Sequence, residues 1–346
     1  MKKKIEVSGT RFVDGLGRDF VAGGVNMVCK EKAKGYLGGW TREDFAFLKK
    51  NGFNLIRLGL IWDGAEPEPG CYSTSYFEGI DRLIELAAEA DIPVFLDMHQ
   101  DLYGVVFEDG APAWATVTDG LKHVRTELWS DSYLLSPAVQ HAFDNFWNNV
   151  KAQDGVGIRD HYINLWRFIA ERYAQNPYVV GYDLMNEPFP GSAGAEVAKI
   201  IGEVAGGNLG SLEDPAKIGE LITRIAPITA RFETATLQPF YEELAENIRE
   251  VDKNTIIMFE SNYFTNAAIP TALSPLKDSL GRVIPAQAYV PHGYDILVDT
   301  DAYGTGGFER VGFIIENVFD GINRLSLPAL IGEWGCYPGA SEGEKA

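Results

Sequence analysis

Runs of apolar, β-prone residues alternate along the chain with longer amphipathic segments. A parallel strand covered on both faces is apolar without alternation, so these runs predict buried strands. Seven strands are predicted, over residues 22–28, 54–60, 92–99, 178–186, 255–260, 285–290 and 329–334. The amphipathic segments predict helices over residues 41–50, 77–90, 143–173, 240–251 and 308–325, the third of them broken near 155–157. Their alternation with the strands favours a parallel sheet with right-handed crossovers.

Two segments depart from this alternation. Near the N-terminus, residues 11–14 and 19–21 flank the turn sequence Gly15-Leu16-Gly17-Arg18 and predict a hairpin, which we expect to plug the base of a barrel. Residues 190–230 are richer in glycine and alanine, which indicates an insertion or lid around a short helix. No linker or low-complexity tract interrupts the chain, so we predict a single barrel domain over residues 1–346.

The predicted fold is an α/β barrel of the TIM (β/α)8 type. Such a barrel closes with eight strands, whereas the pattern provides seven and the chain ends at Ala346, soon after the seventh. We therefore expect a C-terminally incomplete barrel that lacks its last βα unit and exposes two parallel edges. A doubly wound open sheet is the alternative, but no glycine-rich phosphate loop follows the first strand.

Composition excludes several classes of function. The net charge of −19 counts against nucleic acid, which requires clustered lysine and arginine, and against binding to anionic membranes by charge alone. No apolar run approaches the roughly 18–20 residues of a membrane span. The three cysteines are widely spaced, which predicts neither a disulfide framework nor a zinc site. The basic start, Met1 to Lys4, has no apolar segment behind it, so no signal peptide is predicted and the sequence by itself indicates the cytoplasm.

Polar side chains recur where the predicted strands meet their following loops. In a barrel these strand ends gather around one mouth, where the chemistry of such folds takes place. The residues concerned are Arg57, Asp97, His99, Asp101, Asn186, Glu187, Glu260, His292, Tyr294 and Glu333. Two carboxylates on separate strands, Glu187 and Glu333, suit retaining glycoside hydrolysis, in which one acts as acid/base and the other as nucleophile about 5–5.5 Å away.

Each of these residues also has a structural interpretation. Glu187 and Arg57 could form ordinary strand-end ion pairs, and His292 could belong to the packed core. Asp97, His99 and Asp101 are a possible set of metal ligands, although no further histidine is spaced to complete a site. The joint pattern favours the catalytic interpretation over these separate ones.

Several motifs together resemble glycoside hydrolase family 5 of clan A. They are Asn186-Glu187-Pro188, Glu333-Trp334-Gly335 and His292-Gly293-Tyr294, with Arg57 and His99. Within the family, residues 97–103 (Asp-Met-His-Gln-Asp-Leu-Tyr) and 109–115 (Asp-Gly-Ala-Pro-Ala-Trp-Ala) are most similar to endoglycoceramidases. The resemblance implies a secreted enzyme that needs no metal or organic cofactor.

The resemblance also implies roles for individual residues. Glu187 would be the acid/base and Glu333 the nucleophile, while Asn186 would bind the sugar 2-hydroxyl. Arg57 and Tyr294 would support Glu333, and His292 would orient the acid/base. The remaining expected sugar contacts are Lys30, Asp97, His99 and Asp101. The family also places a tryptophan after the eighth strand, beyond the last residue here, and usually a C-terminal β-sandwich, which counts against activity of this polypeptide alone.

The implied function is that of a retaining endo-β-glycosidase cleaving between glycan and ceramide in glycosphingolipids. The alternatives are a β-glucosidase acting on glucosylceramide or a steryl glucoside, a cellulase-like β-glucanase, and a non-enzymatic carbohydrate- or lipid-binding barrel. A lipid substrate requires an apolar track, and contact with a lipid surface or micelle is a further expectation. We expect that track along the strand-exit loops; packing of the same side chains inside the loops is an equal alternative. The side chains concerned are Tyr103, Val105, Val106, Phe107, Trp114, Phe189, Tyr263 and Phe264.

Overall fold

The computed structural model describes residues 3–208, 211–212, 214–295, 298 and 308–335. Ten strands lie in this part of the chain: β1 Ile5–Ser8, β2 Arg11–Asp14, β3 Gly24–Met27, β4 Leu55–Ile61, β5 Val94–His99, β6 Val179–Asp183, β7 Ile256–Phe259, β8 Gln287–Tyr289, β9 His292–Gly293 and β10 Glu333–Trp334. Strands β3 to β8 form one parallel sheet in sequential order. A doubly wound sheet reverses its strand order, so this sheet is that of a barrel and the predicted fold class is confirmed.

The seventh predicted strand extends this sheet. Tyr289 bridges Ala329 in parallel, and β9 pairs with β10 in parallel, so residues 287–293 and 329–334 are neighbouring barrel strands. On the other side, the Asn26 amide of β3 donates to the Gly332 carbonyl at 3.3 Å. The described residues therefore provide the seven barrel strands that the hydrophobic pattern predicts.

The N-terminal hairpin is only partly as predicted. Strand β2 bridges Asp19 through Val13, as expected, but its longer antiparallel partner is β1, which the sequence pattern missed. Ile5 and Phe12 are buried among inward-facing strand residues, including Phe95 and Met258. The hairpin therefore closes the base of the barrel, which confirms that part of the prediction.

Ten helices surround the strands in the described residues. They are α1 Arg42–Lys50, α2 Trp62–Ala65, α3 Thr74–Glu89, α4 Asp131–Leu135, α5 Pro137–Trp147, α6 Ile158–Tyr173, α7 Ala193–Ala205, α8 Pro215–Phe232, α9 Gln238–Val251 and α10 Phe308–Leu325. Helix α1 begins as its sequence predicts, because the Asp44 carboxylate accepts from the backbone N–H of Thr41 at 2.7 Å. Among the described residues, no helix combines the length and apolar composition needed to span a bilayer.

Residues 190–230 are more regular than the sequence pattern indicates. They contain α7 and most of α8, two helices of 13 and 18 residues, rather than a short helix in a loose insertion. A five-residue π-helical turn, Glu233–Leu237, joins α8 to α9. The prediction of one short helix was wrong, because many glycines of this region lie where helices end or face solvent; a role as a lid stays a prediction.

Inward-facing residues change from apolar to charged along three of the barrel strands, β4, β5 and β7. Leu55 is followed two positions later by Arg57, and Phe95 by Asp97. Ile256 and Met258 precede Glu260 in the same way. Side chains two apart share one face of a strand, so an apolar base supports a layer of charged groups at the carboxyl ends.

Candidate active site

Arg57 lies at the centre of the charged layer and is 2% exposed. Its Nε donates to Asp183 at 2.9 Å, and its Nη2 donates to Glu260 at 2.8 Å and lies 3.0 Å from Asp97. Burial would lower the pKa of the Arg57 guanidinium, but the charges of Asp97 and Asp183 outweigh burial and raise it. Burying a charge is tolerable only when it is paired and hydrogen-bonded. Here the carboxylates at the ends of three strands provide those partners for Arg57.

The three acids around Arg57 also lie close to one another. Asp97, Asp183 and Glu260 each place a carboxylate oxygen within 4.8 Å of the others, a spacing compatible with a bound cation. The Arg57 guanidinium already supplies the cation at this point. Burial, reinforced by the charge of Glu260, raises the pKa of Asp183 well above its ordinary value. The set is therefore an arginine-centred network rather than a metal centre.

Replacing Arg57 with methionine is expected to destabilise the fold by about 3–5 kcal/mol, because it leaves buried carboxylates without their cation. The loss would appear as a lower denaturant midpoint with an unchanged slope. Arg42→Met is the matched control, since the Arg42–Glu89 pair is largely exposed. Equal midpoints for the two variants would contradict the central role of Arg57.

Glu333 begins β10 and projects into the same layer. Its Oε1 accepts from Arg57 Nη1 at 2.5 Å, and its Oε2 accepts from the Tyr294 hydroxyl at 3.0 Å. Burial would raise the pKa of Glu333, but the charges of His292 and Arg57 outweigh burial and lower it to about 2. The carboxylate is thus ionised and fixed by donors on both oxygens, as a nucleophile requires.

Glu187 follows β6 and adopts a left-handed backbone with a φ of 45°. Its backbone N–H donates to Glu260 at 2.8 Å, and its side-chain Oε1 accepts from Asn266 at 2.7 Å and lies 2.8 Å from His292 Nδ1. A non-glycine residue in this region is strained, and such strain is concentrated at functional sites. Oε2 has no hydrogen-bond partner within the described residues, so this oxygen is free to carry a transferable proton.

The pKa values of the two carboxyl groups are shifted in opposite directions. Burial raises the pKa of Glu187, whereas Glu333 is held at a pKa of about 2. One oxygen of Glu187 and one of Glu333 lie within 4.8 Å of each other. Carboxyl groups about 5–5.5 Å apart belong to retaining glycosidases, and inverting enzymes separate them further. A protonated acid beside an ionised carboxylate is the pair that retention requires.

His292 links these carboxylates. Its Nδ1 is 2.8 Å from Glu187 and 3.8 Å from Glu333, and its Nε2 is 3.2 Å from Glu260. Burial would lower the pKa of His292, but the charges of Glu260 and Glu333 raise it well above the ordinary value. The resulting imidazolium screens the carboxylates from one another and holds Glu187 in place.

Asn186 precedes the acid/base candidate and is 1% exposed. Its Oδ1 accepts from Arg57 at 2.9 Å, and its Nδ2 donates to the Gln100 carbonyl at 3.1 Å. One amide hydrogen remains available, so a bond to a sugar hydroxyl is compatible with this geometry and stays a prediction.

A second polar group lies beside the carboxylates. His99 Nδ1 is 2.8 Å from Asp97, which turns its Nε2 towards Asp101 at 3.8 Å. The Lys30 ammonium donates to the Asp101 carboxylate and is 3.9 Å from Asp109. Burial would lower the pKa of His99, but Asp97 raises it to about 9. The structure thus brings Lys30, Asp97, His99 and Asp101 together.

Asp109 completes this group, and the sequence analysis missed it as a site residue. It is 1% exposed, and neither carboxylate oxygen accepts a hydrogen bond from the described residues. Burial, reinforced by the charge of Asp101, raises the pKa of Asp109 to about 7. Buried polar atoms are almost always hydrogen-bonded, so His99 Nε2 and the Asp109 oxygens mark a place for ligand hydroxyls or water. A metal at His99, Asp101 and Asp109 would face the Lys30 ammonium, which disfavours that alternative.

Asp109→Asn is expected to weaken binding of a β-linked disaccharide about tenfold, roughly one charge-assisted hydrogen bond. Because its pKa is raised to about 7, Asp109 becomes a charged acceptor on both oxygens only as pH rises through that value. Wild-type affinity should therefore increase between pH 5.5 and 8, and the variant should lose this increase. Calorimetric titration at both pH values measures it, and a retained increase would contradict the assignment.

The apolar track predicted on the strand-exit loops is wrong in its main part. Tyr103, Phe107, Phe189 and Phe264 are all buried, and of the expected set only Val106 is largely exposed. These rings form the loops' own core, for example through the Tyr103 hydroxyl, which donates to the Ala115 carbonyl at 2.8 Å. Packing satisfies them, which is the alternative that the sequence left open.

Comparison with known proteins agrees with this geometry. The family model described as "Cellulase (glycosyl hydrolase family 5)" matches residues 17–343. A curated relative, the endoglycoceramidase of Hydra vulgaris, is 29% identical over 277 residues, which are 72% of this chain and 47% of that protein. The chain thus spans about half the length of this relative.

Solved structures give the same result. The endo-glycoceramidase II of Rhodococcus sp. in complex with ganglioside GM3 superposes with a TM-score of 0.74 at 28% identity, covering 93% of this chain and 68% of that one. A lactosyl-enzyme intermediate of the same protein gives a TM-score of 0.73 at 29% identity, covering 96% of this chain and 70% of that one. The resemblance inferred from the strand-end motifs is confirmed. The chain belongs to glycosyl hydrolase family 5.

Proposed function

We propose that the protein is a retaining endo-β-glycosidase that releases the intact glycan from a glycosphingolipid. The observation that carries the proposal is the pair Glu187 and Glu333, whose oxygens lie within 4.8 Å and whose pKa values are shifted in opposite directions. Burial favours the acid form of the first, and neighbouring cations favour the carboxylate form of the second. Double displacement requires this combination.

In the first step, Glu333 attacks the anomeric carbon and forms a glycosyl ester. At the same time the glycosidic C–O bond breaks, and Glu187 gives its proton to the departing ceramide oxygen. In the second step Glu187, now ionised, removes a proton from water, which attacks the anomeric carbon; the bond from that carbon to the Glu333 oxygen breaks, and the free Glu333 carboxylate is regenerated. Oε2 of Glu187 is the oxygen that exchanges the proton, since Oε1 is occupied by Asn266 and His292.

The surrounding groups serve this exchange. Arg57 and the Tyr294 hydroxyl hold the two oxygens of Glu333, so the attacking atom is aligned before substrate binds. His292 keeps Glu187 within reach and compensates negative charge. Once the Glu333 charge is consumed in the ester, one cause of the raised pKa of Glu187 disappears, which favours its change from acid to base.

The substrate class rests on two supports. The polar group of Lys30, His99, Asp101 and Asp109 offers donors and acceptors to hydroxyls of a second sugar unit, as an endo-acting enzyme requires. The relatives named endoglycoceramidase, one of which binds ganglioside GM3, suggest a glycosphingolipid as the natural substrate. A polyhydroxylated glycan linked to a lipid alcohol satisfies both.

The test is an assay on lactosylceramide and glucosylceramide in detergent micelles, with released sugars identified by mass spectrometry. Intact lactose is expected. Glucose from glucosylceramide without lactose from lactosylceramide would overturn the endo mode. Incubation with a 2-deoxy-2-fluoro-β-lactoside carrying an activated leaving group should label the peptide containing Glu333, and the absence of both product and label would overturn the proposal altogether.

A further inference from the structure

Glu233 is a fully buried carboxylate remote from the reacting groups. It lies at the first position of the π-helical turn between α8 and α9 and is 0% exposed. Within the described residues it forms no ion pair. Such π turns are rare and frequently mark functional sites, and an ionised carboxylate at this depth requires strong compensation.

Hydrogen-bond donors supply that compensation. Oε1 accepts from the backbone N–H of Asn262 at 3.1 Å and from its side-chain amide at 2.7 Å. Oε2 accepts from the Thr271 hydroxyl at 3.0 Å and from the backbone N–H of Ala272. Glu233 thus accepts hydrogen bonds from both ends of the segment 262–272, which leaves the barrel after β7.

That segment carries a side chain to the catalytic pair. Asn262 accepts from the backbone N–H of Phe264 at 3.0 Å and so starts a short 3-10 helix, Tyr263–Ala267. Within this helix, the Asn266 amide donates to Glu187 Oε1 at 2.7 Å. The Asn266 carbonyl accepts from the backbone N–H of Tyr294 at 3.1 Å, so Asn266 lies between Glu187 and Tyr294.

We propose that Glu233 is a positioning residue for the acid/base, acting through Asn262 and Asn266 on Glu187. The proposal rests on the proposed function, since it assigns Glu187 a proton to deliver. A carboxylate is needed because its two oxygens accept four donors, whereas a glutamine presents one acceptor and one donating NH2 group. With glutamine, the NH2 group faces at least one backbone N–H, so that donor opposes donor and one end of the segment is released.

The expected signature is dependence on the leaving group. A misplacement of about 1 Å can cost on the order of 10²-fold in rate, but only where the displaced group is needed. A dinitrophenolate departs without protonation, whereas an alkoxide requires the acid. Glu233→Gln should therefore lower kcat/KM about tenfold or more on an alkyl β-lactoside and less than about twofold on 2,4-dinitrophenyl β-lactoside.

Two further variants make the test decisive. Glu243→Gln makes the same chemical change on the exposed face of α9 and should leave both substrates unaffected. Asn266→Ala removes the last contact without altering the π turn and should reproduce the same selectivity. If Glu233→Gln does not fold, the result for Asn266→Ala alone decides.

The outcomes separate the two proposals. Equal losses on both lactosides, or no loss on either, in Glu233→Gln and Asn266→Ala would overturn the positioning role while wild-type activity upheld the proposed function. An inactive wild type on every lactoside would overturn the proposed function itself, and the positioning role with it.

Discussion

Glu333→Gln is expected to lower kcat by about 10⁴-fold or more, the scale of losing a covalent nucleophile. The amide fills the same space and still accepts from Arg57 or Tyr294, so binding should survive. Stopped assays on an activated β-lactoside, which needs no acid, give kcat, and calorimetry with a disaccharide gives Kd. An unchanged Kd with abolished turnover separates a chemical role from a structural one.

The pH dependence of this function follows from the direction of the Glu333 shift. Its pKa of about 2 means that the carboxylate persists as pH falls well below neutrality. Its favourable contribution to folded stability, which is present above the ordinary carboxyl pKa, is lost only as pH falls through this lowered value.

Activity in Glu333→Gln above about 1% of wild type would contradict the role of Glu333 as the nucleophile.

Glu187→Gln is expected to lower kcat/KM by about 10²–10⁴-fold on substrates with poor leaving groups, the range of general acid catalysis. With 2,4-dinitrophenyl β-lactoside the glycosyl ester still forms, but its hydrolysis lacks a base. Azide, which needs no deprotonation, should then restore turnover and give a β-glycosyl azide. Chromatography of that product measures the rescue.

Wild-type kcat/KM should fall as pH rises through the pKa of Glu187, because the acid form is required. That pKa is raised by burial, so the fall lies above the ordinary range of glutamate. Glu187→Gln should lack this basic limb on the alkyl lactoside. Retention of the limb, or a failure of azide to act, would assign the proton transfer to another group.

The hydrophobic pattern located the barrel strands and the strand-end chemistry for one physical reason. A strand projects alternate residues to the same face, so Leu55 before Arg57 and Phe95 before Asp97 place an apolar base under a charged mouth. Glu187 and Glu333 were recognisable for the same reason, together with their short motifs. These features depend on contacts close in sequence or on a repeated period.

Contacts between segments that lie far apart in the chain left no such pattern in the sequence. Asp183 lies inside an apolar strand, and only the pairing of β6 with its neighbours brings it to Arg57. The apolar loop residues fit an exposed track as well as a packed core, and ring packing around Phe189 decided for the core.

The sequence by itself determined the barrel strands and the parallel order of the sheet, and it predicted the two carboxylates as the catalytic pair, because period and motif are local properties. Only the tertiary structure decided in which direction the pKa values of those carboxyl groups are shifted and which groups hold them. The spacing of Glu187 and Glu333, the orphaned oxygens of Asp109, and the path from Glu233 through Asn266 all join residues far apart in the chain. The burial of these residues and the charges around them arise only when the chain folds, so they cannot be inferred from the order of consecutive residues.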